Sequence, residues 1–498
     1  METEISLGPK PHGHGRRAYV ETYGCQMNIS DGELMQGILA AAGYEIVARP
    51  EEADVVLVNT CAIREHAEQR VIGRVGELNR LKSVRPDVVI GVTGCMAQRL
   101  GNRLLEKAAY VDLVMGPDGY RELPEVLGRL RPAFATTSPP AVRGVLTDRR
   151  RNLPVLGGRE TLTDVTITRA PRAEDERLAV LEFRGEENYE GLEVRRTSGV
   201  SAWVPVQRGC NHRCTFCIVP YVRGPEKNRA PEHVLDEVRG IAAQGVTEVT
   251  LLGQTVNSWN YGEWTFARLL REVARIDGIR RVRFTSPHPN DVTAELVEVM
   301  ATEPAVCKQL HLPVQAGHDR TLKRMLRRYT IADYLERVRQ VRAGIPEIAL
   351  STDVIVAFPG ETDAEYEATL ELMREVRYDD AFLYRYSPRE GTPATRLPAE
   401  QFIPADVAQA RLERVIALHR AIQAEINERE VGRTVEVLIE RAAKSAGDML
   451  GRVGSGKVVA FPGGAELVGR YLHVRLTSTT GSTFRGVAVD PTQISRVA

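Results

Sequence analysis

The stretch GCNHRCTFC, Gly209 to Cys217, follows the apolar run VSAWVPVQR and sets Cys210, Cys214 and Cys217 within eight residues. Three thiolates is an odd number. A disulfide uses two cysteines and a structural zinc site uses four ligands. A 4Fe-4S cube usually takes four cysteines, so a set of three leaves one iron open to bind something else. The alternative is a zinc site completed by His212. That residue stands only two positions from Cys210, whereas such sites pair C-x-x-C ligands across a longer stretch.

Reading outward, the run before the cysteine loop opens a strand and helix alternation. EVTLLGQTVNS, RRVRFTS, QLHLPVQAG, ALSTDVIVAFPGE and AFLYRYSPREGTPA read as further strands, and PEHVLDEVRGIAAQG, FARLLREVARID and DAEYEATLELMREV as amphipathic helices between them. About six such units predict a partial (β/α)6 barrel. The cysteine loop then lies at the carboxyl ends of the strands, where barrels do chemistry. The polar tips Gln254, Asn257, Ser286, His288, Gln315, Asp353, Glu361 and Arg385 fall at the same ends.

Nearer the N-terminus the pattern of strand, cysteine and helix recurs three times, at Cys25, Cys61 and Cys95, spaced 36 and 34 residues apart. That interval is one strand-helix-strand unit. The expectation is a doubly wound parallel α/β domain with three strand-end cysteines converging on one sheet edge. Each lies beside a helix N-terminus, whose partial positive charge favours a thiolate. The expected domains are therefore 16–132 (N-terminal, α/β), 133–195 (linker or insertion), 196–431 (partial barrel) and 432–498, whose short strands and Gly-rich turns read as a small antiparallel β-barrel. Within 133–195, TLTDVTITR and RLAVLEFRG read as two strands of a small excursion, and the basic DRRRN around residues 149–151 as a solvated loop.

Composition limits the function classes. The 66 basic residues balance 66 acidic ones, so any nucleic-acid site is local rather than chain-wide. The last segment, 432–498, carries nine Lys and Arg against five acids, which suits RNA. No apolar run of about 18 residues is present, so no membrane partner and a cytoplasmic location are expected. Cys307 reads as a buried strand residue, and KRMLRRY, Lys323 to Tyr329, as a solvated helix face.

CxxxCxxC with Phe216 before its last cysteine, after the first strand of a partial barrel, resembles the radical S-adenosylmethionine (SAM) superfamily. TYGCQMN, NTCAIRE, TGCMAQR, YVRGPEKNR, LLGQTVNS, HLPVQAG, DVIVAFPGET and YSPREGTPA resemble its methylthiotransferase family in order and spacing over nearly the whole chain. Gln26-Met27 after the first cysteine is similar to the branch acting on N6-dimethylallyladenosine in tRNA.

The resemblance implies two 4Fe-4S clusters, one held by Cys25, Cys61 and Cys95 and a SAM-binding one held by Cys210, Cys214 and Cys217. SAM is then cleaved to a radical, with no acid or base residue assigned. Phe216, Gln254, Asn257, Gln315 and Asp353 are the expected SAM contacts, and Arg223, Arg229, Arg452 and Lys457 the expected RNA contacts. The C-terminal barrel looks like a TRAM module. Expected partners are tRNA bearing N6-dimethylallyladenosine and an electron donor such as flavodoxin or ferredoxin, for a monomeric enzyme. Departures stand at Asn228 and Thr255, where Ser and Asn are usual, and at Ala316 and His318, where Ser is. The alternatives are a methylthiotransferase for threonylcarbamoyladenosine tRNA or for a ribosomal protein and, in another class, a metal-stabilised RNA-binding protein without catalysis.

Overall fold

The computed structural model describes residues 16–62, 65–131, 177–196 and 199–489, and the chain divides into two compact units. The first unit is built on six strands: Arg17–Thr22, Glu45–Ile46, Val55–Thr60, Val89–Gly94, Leu113–Met115 and Leu178–Val180. Numbered along the chain, they lie in the order 2-1-3-4-5-6, and every pair is parallel. Val55–Thr60 and Val89–Gly94 are buried at all positions, as strands covered on both faces must be. Strand order reverses between the first and third strands, the switch point at which doubly wound sheets open a crevice.

The sixth strand is a correction. Leu178–Val180 lies inside the stretch read as a linker or insertion, yet it pairs with Leu113–Met115 and completes this sheet. Its apolar residues gain a fully buried edge there. TLTDVTITR and residues 149–151 lie outside the described residues.

The second unit contains six parallel barrel strands in two triplets, Ser201–Pro205, Glu248–Leu252 and Arg281–Phe284, then Gln309–His311, Ala349–Val356 and Asp380–Arg385. An isolated bridge, Val282 to Val306, joins the triplets. Alternation fixes the faces. Leu310, Leu350, Val354 and Val356 enter the large core beneath the helices, while His311, Ser351, Asp353 and Ile355 point to the other, concave side. The register Asp353 to Phe382 and Ile355 to Tyr384 puts two aromatic rings on that concave face, where they stay exposed.

Five strands between Thr434 and Ala488 close into a separate barrel around Val437, Ile439, Val459, Phe461, Val474 and Phe484. Its turn between Asp448–Val453 and Val458–Pro462 docks at the amino ends of the large barrel's strands, away from the cysteine loop. Arg281 donates to the carbonyls of Arg452 (2.7 Å) and Glu436 (2.9 Å), and Arg283 to those of Val453 (2.8 Å) and Gly454 (3.0 Å). Tyr471 meets Thr247 at 3.0 Å, and Arg280 lies over its ring. The small barrel thus plugs one end of the large one. Among the described residues, no helix is long and apolar enough to cross a membrane.

Candidate active site

Strand topology gathers the first cysteine set. Cys25 caps helix Gln26–Ala41 after the first strand, Cys61 directly follows the third strand, and Cys95 opens helix Cys95–Leu100 after the fourth. These three strands are neighbours, so the cysteines share one edge. Gly24, at φ 133°, lies so close to Cys61 that an added Cβ would sit 2.6 Å from the Cys61 Cβ. Gly94, at φ 92°, would put one 2.5 Å from the Thr60 carbonyl oxygen. Only glycine fits both approaches.

A buried polar net ties the three ends together. Asn28 Nδ2 donates to the Thr60 carbonyl (2.9 Å), Asn59 Nδ2 to the Asn28 carbonyl (2.7 Å), Thr60 Oγ1 to the Thr93 carbonyl (2.6 Å), and Cys25 Sγ to Asn28 Oδ1 (3.3 Å). Asn28, Asn59 and Thr60 are wholly buried. The sequence reading passed over them, although each sits inside a quoted cysteine motif. A polar residue in an otherwise apolar strand end was the available signal.

The second set sits in a loop with little regular structure, held from outside. Cys210 N–H donates to the Gly224 carbonyl (3.2 Å) and Cys217 N–H to that of Cys214 (3.0 Å). Thr215 N–H donates to the Met325 carbonyl (3.1 Å) and Thr215 Oγ1 to that of Arg324 (2.9 Å). Thr255, the departure after the second barrel strand, places Oγ1 3.2 Å from Cys210 Sγ. Arg327 Nη1 donates to Cys214 Sγ at 3.5 Å.

Burial pushes the Cys217 thiol up to about 12, with Cys214 and Cys210 adding like-charge opposition. Burial also pushes up the Cys210 thiol. A shared cationic core would relieve the burial and like-charge opposition that hold up the Cys217 and Cys210 thiols. Among the described residues, the only group of three or more His, Cys, Asp or Glu ligand atoms within 4.8 Å of one another is His212, His288 and Asp291. The barrel cysteines thus do not converge as ligands of one zinc would, at Zn–S distances of about 2.3 Å. One buried and two half-buried thiols, spread too far apart for a single zinc, suit the larger 4Fe-4S centre.

The His212, His288 and Asp291 group is not a metal site either. The rings stack at 4.1 Å with planes 8° apart, so their in-plane lone pairs cannot meet on one ion, and His288 Nδ1 already accepts from Asn290 N–H.

The expected SAM contacts divide. Gln254 holds a buried Oε1 with no partner among the described residues, an acceptor suited to a ligand N–H. Gln315 is held at φ 73° by bonds between its own backbone and Asp353 and Ile355. Asp353 lies on the concave face, 3.4 Å from His311 Nε2. Asn257 is otherwise engaged: its Nδ2 donates to the His288 carbonyl (2.9 Å) and its Oδ1 accepts from the His288 N–H (2.7 Å). Phe216 packs against the barrel core. Of the other departures, Asn228 bonds Glu226 and the Asn260 carbonyl, and His318 caps helix Asp319–Arg324.

The four expected RNA contacts have internal tasks. Arg223 is buried on helix Val219–Arg223. Arg229 bonds the Pro205 carbonyl (2.7 Å) and Glu237 (2.6 Å). Lys457 pairs with Asp379 (2.9 Å) and Glu430 (2.5 Å) with its side chain 9% exposed. Arg452 pairs with Glu440 and donates to the Gly456 carbonyl. Six basic residues of the small barrel are exposed: Arg433 and Arg485 pair with Glu347 and Asp448, while Arg441, Lys444, Arg470 and Arg475 have no ion pair among the described residues.

The chain matches the model of the Radical SAM superfamily over residues 204–373, that of the uncharacterized protein family UPF0004 over 17–116, and that of the TRAM domain over 428–489. The radical S-adenosylmethionine methyltransferase TsrM from Kitasatospora setae is similar in fold, with a TM-score of 0.55 at 16% identity over 78% of each chain. Fold and cysteine loop together define a radical SAM protein.

Within that class the chain belongs to the tRNA-2-methylthio-N(6)-dimethylallyladenosine synthase family. It is 42% identical to the member from Moorella thermoacetica over 94% of this chain and 97% of that one. It is 41% identical to the member from Chloroherpeton thalassium over 95% and 96%, and 40% identical to that from Cereibacter sphaeroides over 95% and 98%.

Proposed function

We propose that this chain converts N6-dimethylallyladenosine in tRNA to its 2-methylthio derivative, as a radical SAM transferase of a sulfur-containing group. The observation that carries the reading is the pairing of an open three-cysteine loop at a barrel mouth with a second three-cysteine set at a sheet switch point. Cys210, Cys214 and Cys217 would hold the SAM-binding 4Fe-4S cluster, and Cys25, Cys61 and Cys95 a second cluster that handles the inserted sulfur. When bound, the clusters and SAM supply the radical chemistry and the sulfur.

The chain's own residues position the reactants. Gln254 offers a buried acceptor to SAM. An adenine can be reached at C2 only when unstacked, and the concave face offers Phe382 and Tyr384 to receive it, beside His311 and Asp353. Phosphates would meet Arg441, Lys444, Arg470 and Arg475 on the small barrel rather than Arg452 and Lys457. A one-electron donor of the flavodoxin or ferredoxin type, a monomeric state and a cytoplasmic location complete the reading.

The test is mass spectrometry of tRNA nucleosides from cells with and without this protein; absence of the 2-methylthio nucleoside in both, or its presence in both, rejects the activity. Replacing Arg441, Lys444, Arg470 and Arg475 by Gln should weaken tRNA binding and flatten its salt dependence. Each lost phosphate contact should remove about 0.7 to 0.9 from the slope. An unchanged slope would show that the small barrel only plugs the large one.

A further inference from the structure

Arg327 was read from sequence as part of a solvated helix, and the structure turns it inward. Helix Asp319–Arg324 ends, Leu326 adopts φ 55°, and Arg327 N–H closes the turn onto the Leu322 carbonyl (2.9 Å). Arg327 is left 9% exposed. All three guanidinium nitrogens are used. Nε donates to the Tyr329 hydroxyl (3.0 Å), Nη2 to the Pro313 carbonyl (3.1 Å) and Nη1 to Cys214 Sγ (3.5 Å). The Tyr329 hydroxyl donates onward to the Val314 carbonyl (2.9 Å).

Among the described residues, Arg327 forms no ion pair with a carboxylate. A buried guanidinium without a counter-charge is strongly destabilising. The group it faces that becomes anionic on ligation is the sulfur of Cys214.

We propose that Arg327 is a positioning residue that sets the reduction potential of the iron–sulfur cluster held by Cys210, Cys214 and Cys217, raising it. The proposal rests on the reading that these three cysteines hold such a cluster. Reduction adds one electron from an external one-electron donor and one negative charge to the cluster; no bond is made or broken. A fixed cation at a ligand sulfur, in a site shielded from water, stabilises the reduced form more than the oxidised one. The Pro313 and Tyr329 contacts keep the guanidinium from swinging away as the charge changes.

The experiment uses the full-length chain with Cys25, Cys61 and Cys95 replaced by Ala, so that a single cluster is observed. The protein is reconstituted anaerobically and titrated with dithionite without SAM, followed by electron paramagnetic resonance. Arg327→Gln should lower the potential by at least 59 mV, a tenfold change in a one-electron equilibrium. Arg327→Lys should recover most of it. A Gln variant that holds its cluster at an unchanged potential overturns the proposal.

If the Gln variant takes up no iron, the Lys variant decides. Recovered iron and potential support a role for the charge, and a Lys variant as empty as the Gln one overturns it. No iron–sulfur signal in the parent protein would instead sink the underlying reading of the three cysteines.

Discussion

The two cysteine sets reach similar ends by opposite routes. Cys210, Cys214 and Cys217 are adjacent in sequence, yet their loop has little order of its own. Thr255, Thr215 and Arg327 tie it to the second barrel strand and to the 324–327 turn. Cys25, Cys61 and Cys95 are far apart in sequence, yet their convergence follows from parallel strands ending at one edge, with Asn28 and Asn59 locking the ends. Sequence proximity makes a motif easy to find and leaves its geometry to distant residues. Topology hides a motif and supplies its geometry.

The largest test of this contrast separates function. The triple Ala variant of Cys210, Cys214 and Cys217 should release no 5′-deoxyadenosine from SAM under reducing conditions. The triple variant of Cys25, Cys61 and Cys95 should still release it but transfer no methylthio group. Cleavage lost only in the second variant would reverse the two assignments.

A smaller effect sharpens the topological half. Asn28→Ala leaves the buried Thr60 carbonyl without its donor, which costs about 1 to 3 kcal/mol. The denaturant midpoint should fall accordingly, and iron bound by a chain lacking the barrel cysteines should drop. Full iron with full stability would mean that the strand ends alone hold the cysteines.

On the loop side, Thr255→Val keeps the shape and removes one hydroxyl from Cys210. A single hydrogen bond contributes about 0.5 to 1.5 kcal/mol. The expected result is a faster loss of iron from the barrel site to a chelator, with the N-terminal site unaffected. Equal loss at both sites would mean that the variant acts on global stability.

What the sequence disclosed follows the same division. Repeating strand, cysteine and helix units expose the three cysteine-bearing strands of the first sheet because period and spacing are local properties. Leu178–Val180 was read as a strand but placed in an excursion, because nothing local shows that a strand returns to a sheet edge built some sixty residues earlier. The run Lys323–Tyr329 looked like an exposed helix because the left-handed Leu326 that turns Arg327 inward has no compositional mark. Arg452 and Lys457 look like RNA contacts in the sequence because a basic, Gly-rich turn is usually exposed. Here that turn is the plug in the larger barrel.

The smallest expected effect concerns His288, whose ring lies between the two systems that hold the loop. Burial lowers its pKa from the ordinary 6.5 to about 2, with Arg327 and then His212 opposing its charge further. Among the described residues, Asp291, 4.0 Å away, is the carboxylate paired with the ring, and the Tyr329 ring packs edge-on without charge.

A histidine kept neutral in the fold binds its proton only after unfolding. Its contribution to stability is therefore complete above pH 6.5 and is lost as pH falls below it. Between pH 7 and pH 6 the loss from this residue should be about 0.7 kcal/mol, from one proton at 1.36 kcal/mol per pH unit above and below the unfolded pKa. His288→Asn keeps an acceptor for the Asn290 N–H and removes the titration. Urea midpoints of both proteins at pH 7, 6.5 and 6 give the comparison. The parent should lose stability relative to the variant as pH falls, and parallel curves would mean that the imidazole finds a counter-charge in the fold and is already protonated there.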